Sequence, residues 1–216
     1  MKQIHIFDVD HTITRHSTGR LYVKTAIALK KAHWTVMPEL SFIYLRYRSG
    51  LLKPSHIDHD MPKLEGISRT TLVEIADQCF IEQIKPDIFE DAYAFISEKK
   101  KEGADLALAT SSFDIIVQPL ADYLEIPHVL ASSVEFVDGL CTGRFLETPV
   151  FSEGKKNKVL DFLSGLSISP ENCHFYSDSI YDKSLMEAVG TPVVVNPDFM
   201  LSRHARKADW PILKWN

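Results

Sequence analysis

The sequence predicts an α/β protein: a Rossmann-like, doubly wound parallel sheet with one inserted helical cap and a β-hairpin. Three observations carry this reading. After Pro86, short β-prone runs alternate with helical stretches. Three such runs along the chain end in polar clusters, Asp8/Asp10, Thr110/Ser111 and Asp178/Asp182. Between the first and second runs, from Gly19 to about Pro86, apolar residues recur only at helical spacing.

The elements follow in order. Ile4–Phe7 is a short apolar run that breaks off in Asp8-Val9-Asp10-His11-Thr12, which suits a central strand with acids at its carboxyl end. In the next stretch, Leu72, Ile75, Ala76, Cys79 and Phe80 form an i, i+3, i+4, i+7, i+8 stripe, while Pro38, Pro54 and Pro62 divide it into several helices. A helix from Ile88 to Glu102 stops at Gly103, a residue suited to the left-handed position after a helix end. Ala104–Ala109 reads as a buried strand, Asp114–Leu124 as a helix, and His128–Ala131 as a short strand. Asp138-Gly139 between two β-prone runs predicts a hairpin. A helix over about 154–163, a strand at Cys173–Tyr176, then a further helix and a strand at Pro192–Val195 complete the pattern. The expected division is a core of residues 1–16 and 87–216 and a helical cap of residues 17–86.

Composition bounds the function. The 216 residues are 45% apolar and 25% charged, ordinary for a globular protein. A net charge of −5 argues against nucleic acid as a partner. Cys79, Cys141 and Cys173 lack C-x-x-C spacing and suit a reducing compartment. The first residues are too short a run and too soon charged to be expected as a signal peptide, and no run approaches the ~20 apolar residues of a membrane span. Cytoplasmic placement is the expectation, with no membrane partner; oligomeric state is left open.

The polar clusters are chemically specific. In open parallel sheets, ligands sit at the carboxyl ends of the strands. Acids gathered there repel one another by about 4 kcal/mol per pair at ~4 Å in an effective dielectric of ~20. A cation relieves that repulsion, and Mg²⁺ favours carboxylate oxygens and water. Thr110 and Ser111 offer donors to a phosphate, and Lys155 or Lys156, near a helix start, offers charge.

Asp8-Val9-Asp10-His11-Thr12, Ala109-Thr110-Ser111-Ser112, Gly154-Lys155 and Asp178-Ser179-Ile180-Tyr181-Asp182 resemble the four ordered motifs of the haloacid dehalogenase superfamily. Within it the chain is similar to the phosphoserine-phosphatase-like branch, subfamily IB, whose helical cap follows the first motif. The resemblance spans nearly the whole chain and includes Thr142-Gly143, Asn196-Pro197-Asp198 and Trp210-Pro211-Ile212. One D-x-D-x-T is weak evidence; four motifs in order, each at an element end, are specific.

The resemblance implies a phosphomonoester phosphatase acting on a small phosphorylated metabolite with Mg²⁺. Asp8 would be the nucleophile and become an aspartyl phosphate; Asp10 would be the general acid and base. Thr110, Ser111 and Lys155 would bind the phosphoryl group, with Lys155 also neutralising Asp8. Asp8, Asp178 and the Asp10 carbonyl would hold the metal, with Asp182 behind them. Arg46, Arg48, Lys53 and Arg69 are cap candidates for substrate selection and suggest an anionic or polar handle on the leaving group. His11 stands where the family often has glycine, Tyr181 where phosphoserine phosphatases carry asparagine, and Ser111-Ser112 where they carry paired glycines.

Other readings compete. A phosphotransferase would use the same residues; a non-catalytic binding module would not need Asp10; a phosphoacceptor receiver domain lacks the inserted cap. Taken alone, Thr110 is an N-cap and Lys155 a solvated lysine of the run Lys155–Lys158. His56–Asp60 reads as a solvated loop rather than a metal cluster, and Phe42–Arg48 as a cap helix rather than a membrane-surface one.

Overall fold

The first strand, β1 (Ile4–Phe7), has no exposed residue because it lies in the middle of the sheet. The computed structural model describes residues 3–33 and 61–216. After β1 come α1 (Thr18–Ala28), α2 (Arg69–Cys79) and α3 (Glu90–Lys101). Next are β2 (Asp105–Phe113), α4 (Asp114–Leu124), β3 (His128–Ser132), and the hairpin of β4 (Val134–Val137) and β5 (Leu140–Phe145). The chain ends with α5 (Glu153–Gly165), β6 (Cys173–Ser177), α6 (Lys183–Met186), β7 (Thr191–Val195), α7 (Phe199–Lys207) and β8 (Ile212–Leu213). The sheet order is β3-β2-β1-β6-β7-β8, every pair parallel.

Strand alternation divides the core. Ile4 and Ile6 face a cluster with Val159, Leu163, Leu185, Met186, Leu201 and Ala205 from α5, α6 and α7. Phe7 faces the other side, with Tyr22, Leu72, Ile75, Ile96 and Ile116 from the first four helices. Thus α1 and α2 share one apolar core with α3 and α4. All helical elements described between Ser17 and Asp87 are α, π or 3-10; no named strand lies there among the described residues.

Local chemistry explains the ends. Ser68 caps α2 by accepting a bond from the Thr71 amide at 3.1 Å, and Leu72, Ile75, Ala76 and Cys79 form its buried stripe. Helix α3 carries Glu90 and Asp91 in its first turn and Lys99–Lys101 in its last, complementing its dipole. Asp138 (φ 49°) and Gly139 (φ 79°) make the left-handed pair that a two-residue hairpin turn needs.

Several boundaries differ from expectation. Strand β2 runs on through Thr110–Phe113, so the polar cluster lies within its last residues. Helix α7 and strand β8 lie beyond the last strand that the sequence pattern predicts. α7 is short and mostly polar, burying only Leu201 and Ala205 while Phe199 is 82% exposed, and β8 has only two residues. The start of α7 is set by Asp198, whose Oδ1 accepts from the Leu201 amide at 2.7 Å.

Candidate active site

The register of the central strands builds the site. Phe7 pairs with Leu108 on one side and Tyr176 on the other, and the Asp8 amide continues the ladder to the Tyr176 carbonyl at 2.9 Å. The three polar strand ends therefore stand side by side. The chain runs outward from β1 through β2 to β3 and then returns to β6 on the other side of β1, so the strand order reverses at β1 and the crevice there is the switch point where such sheets bind ligands.

Lys155 arrives from the first turn of α5 and is buried. Its Nζ donates to Asp8 Oδ1 at 2.9 Å and to Asp182 Oδ2 at 2.8 Å. Asp182 Oδ2 also accepts from Ser177 Oγ at 2.6 Å. Asp182 is therefore an anchor for the lysine, more specific than the supporting position expected for it. Lys156 pairs instead with Glu153, and Lys158 reaches the Ala131 carbonyl at 3.1 Å. Of the three lysines, only Lys155 meets Asp8 among these contacts.

Burial pushes the Asp8 carboxyl up to about 7; Lys155 opposes this, while Asp182 and Asp10 add to it. Burial works against the Lys155 ammonium, but Asp182 and Asp8 outweigh it and hold the lysine protonated.

Asp10 is held by Thr18, which lies outside the motifs, and by Ser112 of the second motif. Its Oδ1 accepts from the Thr18 amide at 2.8 Å and from Thr18 Oγ1 at 2.7 Å, and Ser112 Oγ lies 3.4 Å from Oδ2. Thr18 Oγ1 and Ser112 Oγ are 2.7 Å apart. The first turn of α1 thus clamps the second acid of the D-x-D pair, a role invisible in a threonine eight residues downstream. Thr110 is fully buried in β2 and its Oγ1 accepts from the Ser112 amide at 3.1 Å. It is not an N-cap: α4 starts at Asp114, with Phe113 at the cap position. Ser111 is exposed at the mouth of a cavity that Asp10 and Ser112 also line.

His11 has φ 62°, the left-handed conformation that favours glycine. It holds that shape by donating from Nδ1 to the Arg15 carbonyl at 2.8 Å. Tyr181 packs against Phe151 with ring centroids 4.9 Å apart. The loop carrying Asp178 is tied down from α7: the Asp198 amide donates to the Asp178 carbonyl and Asp198 Oδ2 accepts from the Ile180 amide, both at 2.8 Å. Arg69 is exposed at the start of α2 and does not line the cavity, whereas Lys63, not singled out in the sequence, does. Arg46, Arg48, Lys53, the 42–48 stretch and the 56–60 cluster lie outside the described residues.

Asp8, Asp178 and Asp182 are buried, with Asp10 beside them, against one buried ammonium, Lys155. That excess of negative charge suits a hard divalent cation. Among the described residues, no three His, Cys, Asp or Glu side chains group as metal ligands. A donor set of two carboxylates, Asp8 and Asp178, with the Asp10 carbonyl needs no such trio. No described helix is long and apolar enough to cross a membrane.

Residues 6–187 match the family of haloacid dehalogenase-like hydrolases. The chain is 27% identical over 222 residues to a histidinol-phosphatase of Neisseria meningitidis serogroup C (strain 8013), covering 100% of both. It is 26% identical over 213 residues to a phosphoserine phosphatase of Mycobacterium tuberculosis, covering 95% of this chain and 68% of the other. A structure of a Bordetella pertussis Tohama I protein of unknown function superposes with a TM-score of 0.87 at 25% identity, covering 99% of each chain. A substrate-bound phosphoserine phosphatase shares the fold, with a TM-score of 0.72 at 20% identity over 98% and 93% of the two chains.

Proposed function

Because the chain belongs to the haloacid dehalogenase-like hydrolases and is a phosphatase by that kinship, we propose that it is a Mg²⁺-dependent phosphomonoesterase working through an aspartyl phosphate on Asp8. The observation that carries this is the buried Lys155 bridging Asp8 and Asp182 at 2.9 and 2.8 Å. A carboxylate so gripped is aimed and charge-compensated, as a nucleophile for a phosphate dianion must be.

In the first step an Asp8 oxygen forms a bond to phosphorus while the bond from phosphorus to the ester oxygen breaks. Asp10, protonated, gives its proton to that departing oxygen, so the alcohol leaves neutral. In the second step the Asp10 carboxylate takes a proton from water as the water oxygen attacks phosphorus. The Asp8–phosphorus bond then breaks, freeing inorganic phosphate and restoring both acids. The clamp of Thr18 on Asp10 fixes the carboxyl that serves both steps. Thr110 and Ser111 face the phosphoryl oxygens and Lys155 balances their charge. Asp8, Asp178 and the Asp10 carbonyl would hold Mg²⁺, which supplies Lewis-acid neutralisation of the phosphoryl oxygens.

The proposed architecture is a core of residues 1–16 and 87–216 with a cap of residues 17–86 over the strand ends. The proposed substrate is a small phosphorylated metabolite, in line with relatives named for histidinol phosphate and phosphoserine hydrolysis.

The test is phosphate release from a panel of phosphomonoesters with Mg²⁺, with and without EDTA, beside Asp8→Asn. Metal-dependent release from the wild-type protein, absent in the variant, supports the proposal. Equal release from Asp8→Asn removes the nucleophile, and full activity in excess chelator removes the metal. Recovery of phosphate on an added alcohol rather than in solution identifies a phosphotransferase.

A further inference from the structure

A cavity of about 390 Å³ opens beside Asp10 and Ser111, the groups proposed above to meet the phosphate ester, and beside Ser112. That volume suits a small-molecule site. Its wall is apolar in composition: twelve of the nineteen described residues around it are hydrophobic, aromatic or proline. They come from three directions, Tyr22 and Leu72 from the inserted helices, Ile115 and Ile116 from α4, and Val134 and Phe145 from the hairpin. The Tyr22 hydroxyl is committed to the Leu72 carbonyl at 3.0 Å, so this side chain turns its ring, and not a free proton, toward its surroundings.

Charge is scarce there. Among the described lining residues, Asp10 is the one carboxylate and the exposed Lys63 the one cation. Asp10 is already held by Thr18 and assigned to the leaving oxygen. A leaving group bearing an ammonium, as in phosphoserine, would enter this cavity with no described carboxylate left to pair it. Burying a charge unpaired is costly, whereas each buried methylene adds affinity. Continuity with Asp10 makes the alcohol half of the ester the occupant of the cavity.

We infer that the preferred substrate is the phosphate monoester of an uncharged, predominantly apolar alcohol, its carbon skeleton seated between Tyr22, Ile116 and Phe145. This rests on the phosphatase reading above and narrows its substrate class. Of the cap's basic residues that suggested an anionic handle, Arg69 does not line the cavity, and Arg46, Arg48 and Lys53 lie outside the described residues.

The experiment compares kcat/KM, with Mg²⁺, for acetyl phosphate, O-phosphoserine, histidinol phosphate and straight-chain alkyl phosphates from ethyl to octyl. Acetyl phosphate needs no carbon pocket, so its Asp8-dependent hydrolysis reports the phosphatase chemistry alone. The expected result is a rise of about three- to fourfold per added methylene until the cavity is full. Hexyl phosphate should then exceed both charged esters by at least tenfold. Phe145→Asp or Ile115→Glu should flatten that slope, and Phe145→Leu should retain it; two polar variants are used so that one misfolded protein does not leave the test void. A flat series, a preference for either charged ester, or an unchanged slope in both folded polar variants overturns the inference while acetyl phosphate turnover upholds the phosphatase. Absence of all Asp8-dependent turnover overturns both.

Discussion

A β-carbon on Gly154 would lie 2.2 Å from the carbonyl oxygen of Pro149. The glycine before Lys155 therefore has a steric reason independent of turn conformation: the first turn of α5 is seated directly against the chain that precedes it. Lys155 is the next residue, and its position follows that close approach.

Gly154→Ala should accordingly lower phosphate release by roughly ten- to a hundredfold, because misplacement by about 1 Å is costly in a site of this kind. Overpacking of this type also costs roughly 1–3 kcal/mol of stability. Steady-state kinetics and thermal unfolding read the two effects. Full activity would mean that α5 accommodates the methyl group without moving Lys155.

Lys155 and Asp8 should respond oppositely to neutralisation. Lys155→Met leaves Asp8 and Asp182 buried without their shared ammonium and should cost roughly 3–5 kcal/mol. Asp8→Asn leaves Lys155 paired with Asp182 and relieves repulsion from Asp182 and Asp10. That variant should unfold at or above the wild-type temperature while losing turnover. Chemical denaturation of the two variants checks the order; equal destabilisation would count against the bridge as drawn.

The hairpin should influence the cavity through Gly143. That residue has φ 76°, and a β-carbon there would sit 2.9 Å from the Met61 carbonyl oxygen. The segment beginning at Met61 runs along β5, with the Gly66 amide donating to the Cys141 carbonyl and the Cys141 amide to the Ile67 carbonyl, both at 2.8 Å. Met61, Lys63 and Leu64 line the cavity. Gly143→Ala should raise KM for bulky esters severalfold more than it lowers kcat, and should lower the unfolding temperature. A change in kcat alone would uncouple the hairpin from leaving-group binding.

A histidine pair on the sheet should shape acid stability. His5 and His174 stack on adjacent strands with centroids 4.4 Å apart, and Tyr176 Oη lies 2.8 Å from His5 Nδ1. Burial, then His174 and Lys99, lower the His5 pKa to about 4, against a smaller opposing pull from Glu102. His174 is lowered by burial and Lys99. In the unfolded chain an ordinary histidine takes up its proton near pH 6.5, before the folded protein does. Stability is therefore complete above about 6.5 and falls as pH drops toward 4, by about 3 kcal/mol from His5. His5→Gln should flatten that decline between pH 6.5 and 4, as followed by denaturant unfolding at fixed ionic strength. An unchanged pH profile would exclude His5 as its source.

Alternation of strand and helix, the hairpin at Asp138-Gly139 and the order Asp8, Asp10, Thr110, Lys155, Asp178 were legible in the sequence because each depends on local periodicity, turn chemistry or motif order. Helix α7 was less legible because only Leu201 and Ala205 of it are buried. Partnership was not legible at all. Thr18 meets Ser112 across 94 residues and Lys155 meets Asp8 across 147, through strand register and helix packing rather than spacing. The same packing made Asp182 the anchor of the lysine and set Lys63, instead of Arg69, beside the cavity. The apolar character of that cavity arises only where α1, α2, α4 and the hairpin converge. The residue types of the proposed chemistry were thus determined by the sequence alone, while the pairing of charges and the environment offered to a leaving group were decided by the tertiary structure, because both depend on which distant surfaces exclude water together.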